Sequence, residues 1–346
     1  MAEFAFGPDE DVVLAPGEAA QQIAGKSPWR LAGRRLARDR VALGAFALFL
    51  LILLVCLSAP LYAHHLAHTV VFGSNLNGTT TVNGKTVQVI QQGGGKLGIG
   101  ENPIGPTWHA NYFIGSDTTG RDVMARVLYG GRVSLGIGIG SAAICCLFAM
   151  VLALLAGFFR GATDAVLSRV MDLIWAFPVY LLAISLATVL LSQTHPIINP
   201  ASLWIPTLII AIVYIPYVYR PVRGQVLSTR EKEYVEAAVS QGASNRRLMF
   251  NEILPNILST VIVLFPLMIA TTILTESALS FLSIGVQPPN VSWGTIIQDG
   301  TDLVYTRPWV TLAPGIMILL TVLSLNVLGD GVRDALDPRA KLRAEG

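Results

Sequence analysis

The sequence predicts an all-α polytopic membrane protein with a small extracytoplasmic β-hairpin insertion, and three observations support this fold class. Hydrophobic residues make up 53% of the 346 residues and charged residues only 13%, about half the charged share of a soluble domain. The mean hydropathy is +0.58. Six apolar runs approach or exceed the roughly 20 residues that a helix needs to cross a bilayer. These runs are approximately 41–63, 133–159, 173–192, 203–219, 256–275 and 309–329.

The distribution of basic residues predicts the orientation. If both termini are cytoplasmic, eighteen of the 24 Lys and Arg residues lie inside and six lie outside. Short cytoplasmic loops carry the excess of Lys and Arg, so this orientation is the expected one. It makes 1–40 a cytoplasmic tail, 64–132 an extracytoplasmic segment after the first span, 133–329 the core and 330–346 a cytoplasmic tail.

The N-terminal tail is predicted to be disordered over about 1–26, because it is acidic and rich in Ala and Gly. Residues 20–27, AQQIAGKS, resemble a phosphate-binding loop. No apolar strand precedes them and Pro28 interrupts the helix that should follow, so nucleotide binding is not expected. Residues 27–40 are predicted to form a basic helix at the inner membrane surface.

The extracytoplasmic segment contains an alternating stretch, TTTVNGKTVQV, centred on Asn83-Gly84. This dipeptide is a strong two-residue hairpin signal. The predicted β-element has two possible roles, since it would either meet a soluble partner or pack over the channel mouth. Four histidines fall in the same segment, and they are interpreted either as transition-metal ligands or as solvated loop residues. They are His64, His65, His68 and His109.

The end of this segment is predicted to form a short helix flat on the outer leaflet. Val123 and Val127 lie on an apolar stripe opposite Arg126. The chain is then expected to turn into the membrane at Gly130-Gly131. Inside the spans, three cysteines are interpreted as small buried hydrophobic residues, and they are Cys56, Cys145 and Cys146.

The third run opens with Arg169 and Asp172, which are three residues apart and are expected to form an ion pair at the inner interface. It also contains Pro178, which removes a backbone donor and is expected to kink the helix.

The charged segment between the fourth and fifth runs is the most informative stretch of the chain. Apolar spacing predicts a helix over 226–241. Gly242 then ends it, because a residue just beyond a helix often adopts positive φ. Ser244 is predicted to cap a second short helix, and Pro255 closes the unit.

This segment resembles the EAA loop of the membrane subunits of bacterial ABC importers. The matching residues are Glu236, Ala237, Ala238, Gly242, Leu254 and Pro255. The resemblance implies that residues 220–255, here named the coupling loop, form a cytoplasmic helix that docks into a separate ATPase. Glu252 departs from the pattern, because the family has isoleucine there. The implied coupling residues are Tyr234, Glu236, Ala237, Ala238, Gly242, Arg246, Arg247, Leu254 and Pro255.

The stretches GSDTTGRDV and YGGRVSLGIG are similar to the C-type subunit of the dipeptide/oligopeptide/nickel permease family. That resemblance covers about 113–343. It implies six transmembrane helices of the type I ABC importer type in a bacterial inner membrane. It also implies a second homologous permease subunit, an extracytoplasmic substrate-binding protein and two ATPase subunits that bind ATP and Mg. This chain would then have no catalytic residue, cofactor, metal or nucleic-acid partner, and it would carry peptides or, alternatively, nickel, haem or glutathione.

Glu276 ends the fifth run, and a carboxylate close to the membrane face suggests a functional site. In the resembled family this region lies at the outer mouth. Glu276, with Ser277 and Phe281, is therefore expected either to line the translocation path or to hold the following loop by hydrogen bonds.

Two other classes of protein are disfavoured. An ion-coupled secondary transporter normally places ionisable residues in mid-membrane, and the interiors of these runs are nearly free of them. An intramembrane enzyme would need a metal pair or an activated serine, and no such motif occurs in the runs.

Overall fold

The computed structural model describes residues 28–69, 71–82, 85–92, 101–192 and 199–336. The predicted disordered tail, the phosphate-loop-like stretch and the Asn83-Gly84 turn lie outside the described residues.

The described part of the chain is mainly helical. The long helices are α1 (Pro28–Leu36), α2 (Arg40–Leu57), α4 (Val123–Phe159), α5 (Gly161–Trp175), α6 (Val179–Ser192), α7 (Trp204–Arg230), α8 (Glu233–Ser240), α10 (Leu254–Phe281) and α12 (Trp309–Leu336). The short ones are α3 (Ala59–Leu61), α9 (Asn245–Arg247) and α11 (Trp293–Asp299), with π-helical turns at Tyr62–Ala67 and Leu248–Ile253 and a 3-10 turn at Thr301–Leu303.

Six membrane spans are confirmed, although one of them is broken. Among the described residues, five helices are long and apolar enough to cross a bilayer, and α5 and α6, bent by 90° to one another, meet the same length and composition criteria together as a sixth, broken span. The break falls at Pro178, whose carbonyl oxygen accepts from the Leu182 N–H at 3.0 Å in the first turn of α6. Proline lacks the N–H that would continue α5, which explains the break.

Helix α4 runs without interruption from the outer segment into the membrane. The predicted turn at Gly130-Gly131 is therefore wrong. A Cβ atom built on Gly131 would collide with the Cys56 sulfur of α2 and approach the Trp293 ring of α11 to 2.8 Å, so this glycine makes room for both helices and does not bend the chain. The helix begins at Asp122, whose carboxylate accepts from the Ala125 N–H at 3.2 Å.

Helix α4 lies at the centre of the bundle and packs against α7 and α10. The Ser141 hydroxyl donates to the Thr207 carbonyl of α7 at 2.9 Å. The Thr272 hydroxyl of α10 donates to the Gly138 carbonyl at 2.8 Å. Small residues allow helices to approach this closely inside a membrane, so a short glycine- and serine-rich stretch of α4 fixes the positions of two neighbouring spans.

The outer segment carries two small antiparallel pairs of strands. Strands β1 (Thr79–Val82) and β2 (Lys85–Gln88) pair in the register Val82 to Lys85, which confirms the hairpin. Strands β3 (Ile90–Gln92) and β4 (Glu101–Pro103) form a second pair that the sequence did not predict. The Arg307 Nε donates to the Pro103 carbonyl at 2.7 Å, which ties this second pair to the segment before α12.

Candidate functional site

Residues 226–241 of the coupling loop belong to two helices and not to the single helix that the sequence predicts. Helix α7 continues to Arg230, and α8 begins at Glu233 after Lys232 adopts extended backbone angles. Val226 is fully buried, so the apolar spacing around it belongs to the end of a membrane span. The first part of the prediction was wrong because one apolar pattern ran across two helices.

Gly242 ends α8 in the way the sequence predicts. Its φ is +77°, and its N–H donates to the Val239 carbonyl at 2.9 Å. The Ala243 N–H donates to the Ala238 carbonyl at 3.0 Å. A side chain built on Gly242 would meet nothing within 4 Å, so the position requires the backbone angle that glycine adopts easily and not the absence of volume.

Ser244 caps the next helical piece, and its hydroxyl accepts from the Arg247 N–H at 3.4 Å. From there the chain is helical to the outer side of the membrane. Residues Asn245–Phe281 form a single span-length helix, here named the α10 rod. The second half of the coupling loop is thus continuous with a membrane helix.

The coupling loop has an inner face that packs on the bundle and an outer face that is open. Val235, Leu248 and Met249 are buried against the bundle. On the outer face Tyr234 is 41% exposed and Phe250 is 55% exposed. Large apolar side chains exposed together at a loop are typical of a protein interaction site.

Glu252, the position that departs from the EAA pattern, acts on this outer face. Partial burial raises the pKa of Tyr234, and the nearby carboxylate of Glu252 raises it further.

The other residues implied in coupling mostly lie on the loop surface. Exposed among them are Glu236, Ala237, Gly242, Arg246, Arg247 and Pro255, whereas Ala238 and Leu254 are half-buried. Their assignment to coupling stays a prediction.

Ion pairs at the inner membrane face connect the broken span to the coupling loop. Arg223 donates twice to Asp164, at 2.5 Å each, and Arg220 pairs with Asp172 at 2.8 Å. The sequence predicted an ion pair between Asp172 and Arg169. Asp172 instead pairs with a residue of another helix, so that prediction was wrong. These partners are at least 48 residues apart in the chain, and no local sequence signal links them.

Glu276 lies at the opposite end of the α10 rod and is fully buried. Its carboxylate accepts from the Ser280 hydroxyl at 2.7 Å and from the Ser277 hydroxyl at 3.4 Å. The Ser280 oxygen in turn accepts from the Val286 N–H at 3.0 Å. This geometry favours the second alternative, in which Glu276 holds residues 282–292, here named the outer loop.

The outer loop is also fixed at its far end. The Trp293 N–H donates to the Ser134 hydroxyl at 3.1 Å, and its indole donates to the Val127 carbonyl at 3.0 Å. Of the other two residues assigned to the outer mouth, Ser277 is buried and Phe281 is exposed.

A second buried polar group at this end is the outer ion network, formed by Asp117, Arg121, Arg126 and Asp299. Arg121 donates to Asp117 at 2.7 Å and to Asp299 at 3.0 Å. Arg126 pairs with Asp117 and, at 2.8 Å, with Asp299. Because Arg126 is buried, its predicted position on a polar face at the outer leaflet was wrong.

Burial alone would raise the pKa of Asp117, but the charges of Arg126 and Arg121 outweigh burial and hold the pKa below its ordinary value of 3.8. Asp117 is therefore ionised at neutral pH. The network joins the segment before α4 to the end of α11, and sequence analysis missed it.

A family model described as the binding-protein-dependent transport system inner membrane component matches residues 149–342. The chain belongs to this family. A second model, the N-terminal transmembrane domain of oligopeptide transport permease C, matches residues 27–76 of the permease. The resemblance to the C-type subunit is thereby confirmed, and the permease is a multi-pass inner-membrane subunit of an ABC importer.

Full-length relatives support the assignment. The permease is 34% identical to the dipeptide transport system permease protein of Alkalihalophilus pseudofirmus, covering 92% of this chain and 93% of the relative. It is 32% identical to the oligopeptide transport system permease protein of Bacillus subtilis, covering 93% and 94%. It is 33% identical to the glutathione transport system permease protein of Pectobacterium atrosepticum, covering 91% and 93%.

A solved structure shares the fold. The inward-facing MetNI methionine ABC transporter matches with a TM-score of 0.50 at 13% identity, covering 62% of the permease and 97% of the matched chain. The type I importer fold is therefore confirmed for the membrane core.

No group of three or more His, Cys, Asp or Glu side chains suited to a metal ion occurs among the residues that the structure describes.

Proposed function

We propose that the permease forms half of a translocation pathway for di- and oligopeptides and takes its driving force from separate ATPase subunits. The observation that carries this proposal is the exposed apolar face of the coupling loop, mounted on a helix that crosses the membrane. An exposed face of this kind needs a partner, and the family supplies one in the form of an ATPase.

The α10 rod gives the proposal a mechanism. When ATP closes the two partner ATPases, they displace the coupling loops, and each rod transmits the displacement to the outer loop held by Glu276. The bundle then rocks between inward and outward openings, a rigid-body transition of a common kind. ATP can shift the balance between the inward and outward openings only if the ATPases bind it more tightly in one of the two states.

The proposed assembly contains a second homologous permease subunit, two ATPase subunits that bind ATP and Mg, and an extracytoplasmic substrate-binding protein. The permease itself is non-catalytic and carries no cofactor. Both of its termini are cytoplasmic, as the excess of basic residues on that side indicates.

The orientation is tested by labelling single cysteines with a membrane-impermeant maleimide. The native cysteines Cys56, Cys145 and Cys146 are buried, so the background is low. Val239→Cys lies on the coupling loop, and Tyr305→Cys replaces a side chain that is 99% exposed at the opposite end. In intact spheroplasts we expect labelling of the second variant only, and of both after permeabilisation. The reverse pattern would overturn the assignment.

The cargo is tested with the complete importer in proteoliposomes. Dipeptides and tetrapeptides, delivered by the binding protein, are expected to stimulate ATP hydrolysis, whereas Ni²⁺ is not. Glutathione is the second candidate, because relatives of 33% identity bear that name. Stimulation by Ni²⁺ alone would reject the peptide assignment and make the outer histidines the residues to examine.

A further inference from the structure

A groove on the outer half of the membrane bundle has no role in the coupling mechanism. It has a volume of about 580 Å³ and lies between the end of α2, the outer half of α4, the start of α7 and the outer loop. Most of its wall is apolar. Leu57 and Phe72 close one side, and Leu203 and Trp204 close the other.

Among the residues that the structure describes, Arg132 is the one charged residue that lines the groove. Its guanidinium lies 5.6 Å from the centre of the Tyr129 ring, and that ring packs edge to face on Phe72 at 5.2 Å. No carboxylate forms an ion pair with Arg132 within the ranges that the structure describes. The groove therefore presents an exposed cation, held by an aromatic stack, with its hydrogen-bond donors available.

Two glycines form the floor of the groove below Arg132. A Cβ atom built on Gly136 would meet nothing within 4 Å, and one on Gly140 would approach the Thr207 methyl group at 3.3 Å. Eight residues separate Arg132 from Gly140, which is about 12 Å along a helix at 1.5 Å per residue. Half of a hydrocarbon core of about 30 Å is about 15 Å, so the groove extends through most of the outer leaflet.

We propose that this groove binds one anionic phospholipid of the outer leaflet, with the phosphate on Arg132 and one acyl chain along Gly136 and Gly140. Guanidinium donors match phosphate oxygens in charge and geometry. The apolar walls match a hydrocarbon chain, and Trp204 and Tyr129 lie where interfacial aromatic residues stabilise the headgroup region. Gly136 and Gly140 have no side chains, and the space this leaves along α4 is the slot in which the acyl chain lies.

The first test measures the bound lipid of the complete importer by native mass spectrometry after reconstitution in nanodiscs of phosphatidylglycerol and phosphatidylcholine. Wild type is expected to retain phosphatidylglycerol preferentially. Arg132→Gln should lower that retention about tenfold, because a hydrogen bond to a charged group is lost, and Arg132→Lys should restore part of it. Arg169→Gln removes an exposed charge at the inner face and serves as the control that leaves retention unchanged.

The second test fills the slot. Gly136→Leu should displace the acyl chain and lower retention at least as much as Arg132→Gln. Gly315→Leu is the matched control, because a side chain there also meets nothing within 4 Å but lies on α12, away from the groove.

Four results would overturn the proposal. Equal retention by wild type and Arg132→Gln would show that the cation does not select lipid. Dissociation of the two permease subunits in Gly136→Leu, with normal lipid retention in Arg132→Gln, would show that the groove holds a helix of the second subunit. Displacement of the bound lipid by transported dipeptide would place the groove in the cargo pathway. Displacement of the lipid by glycerol phosphate alone would show that the groove binds an anion but no acyl chain.

Discussion

The two ends of the α10 rod differ in whether their side chains are buried and paired within this chain. At the outer end, Glu276, Asp117 and Arg126 are buried and each is paired within this chain, although the Nε of Arg126 makes no hydrogen bond with any described residue. At the coupling-loop end, the large aromatic side chains of Tyr234 and Phe250 remain exposed. The charged groups of the outer end are therefore paired mainly within one chain, whereas the large side chains at the coupling loop are left without a partner in it.

This difference indicates how stability and function are divided. A buried charge that loses its partner costs several kcal/mol, so substitutions at the outer end should act mainly on the stability of the permease. Substitutions on an exposed surface change stability little, so those on the coupling loop should act mainly on the coupling of ATP hydrolysis to transport. The following predictions test that division, from the largest expected effect on stability to the smallest.

Asp117→Ala should destabilise the permease by about 3–5 kcal/mol, because it leaves the buried Arg126 guanidinium without its main partner. Asp302→Ala is the control, since Asp302 is exposed in the same outer region. Thermal unfolding of the purified importer measures both. A loss no larger than that of the control would show that the network is not structural.

The same carboxylate gives a pH dependence with a definite sign. The folded-state pKa of Asp117 lies below 3.8, so the ionised carboxylate stabilises the folded state at neutral pH, and that contribution is lost as the pH falls through the folded-state pKa. The stability difference between wild type and Asp117→Asn should be constant from about pH 6 to 8 and shrink below about pH 4. A stability difference between wild type and Asp117→Asn that grows as the pH falls would contradict a lowered pKa of Asp117.

Glu276→Ala should cost about 1–3 kcal/mol, because it leaves buried hydroxyl groups without an acceptor, and it should loosen the outer loop. Glu276→Gln has the same shape and keeps a carbonyl oxygen, so it should retain most of the stability and transport. Hydrogen exchange over 282–292 reports the loosening directly. If Glu276→Gln fails in transport while its outer loop stays protected, the side chain has a role in the pathway and not only in anchoring.

Gly242→Ala should cost about 1–2 kcal/mol locally, because its φ of +77° is unfavourable for a residue with a side chain. The turn between α8 and α9 would shift, and peptide-stimulated ATP hydrolysis should fall. Gly224→Ala is a matched control, since a side chain there also meets nothing within 4 Å and the position is helical. Equal activity of the two variants would argue against a coupling role for the turn.

Phe250→Ser should change the stability of the isolated permease by less than about 0.5 kcal/mol, yet weaken its association with the ATPase subunits. Tyr305→Ser, which replaces an exposed aromatic residue at the outer end, should leave association unchanged. Co-purification of the ATPase measures the effect. If Phe250→Ser recovers the normal amount of ATPase, the exposed apolar face is not the docking surface.

Features set by neighbouring residues were predictable from the sequence. Apolar runs gave the six spans, because a backbone in lipid must bond within its own helix. The Asn83-Gly84 dipeptide gave the hairpin, and Gly242 gave the end of α8. The helix over 226–241 was only partly right, because two consecutive helices shared one apolar pattern.

Local composition and spacing were enough to predict the class of fold, which the structure confirms. They also predict the orientation and the coupling loop, and both of these stay predictions. The packing of the helices places Arg126 against Asp299, 173 residues away, Asp172 against Arg220, and Glu276 within hydrogen-bond distance of Ser280, and no local pattern indicated these contacts. The physical reason is that an ionised or polar side chain is satisfied by whichever group the packed helices bring within about 3 Å, and sequence separation does not record that approach.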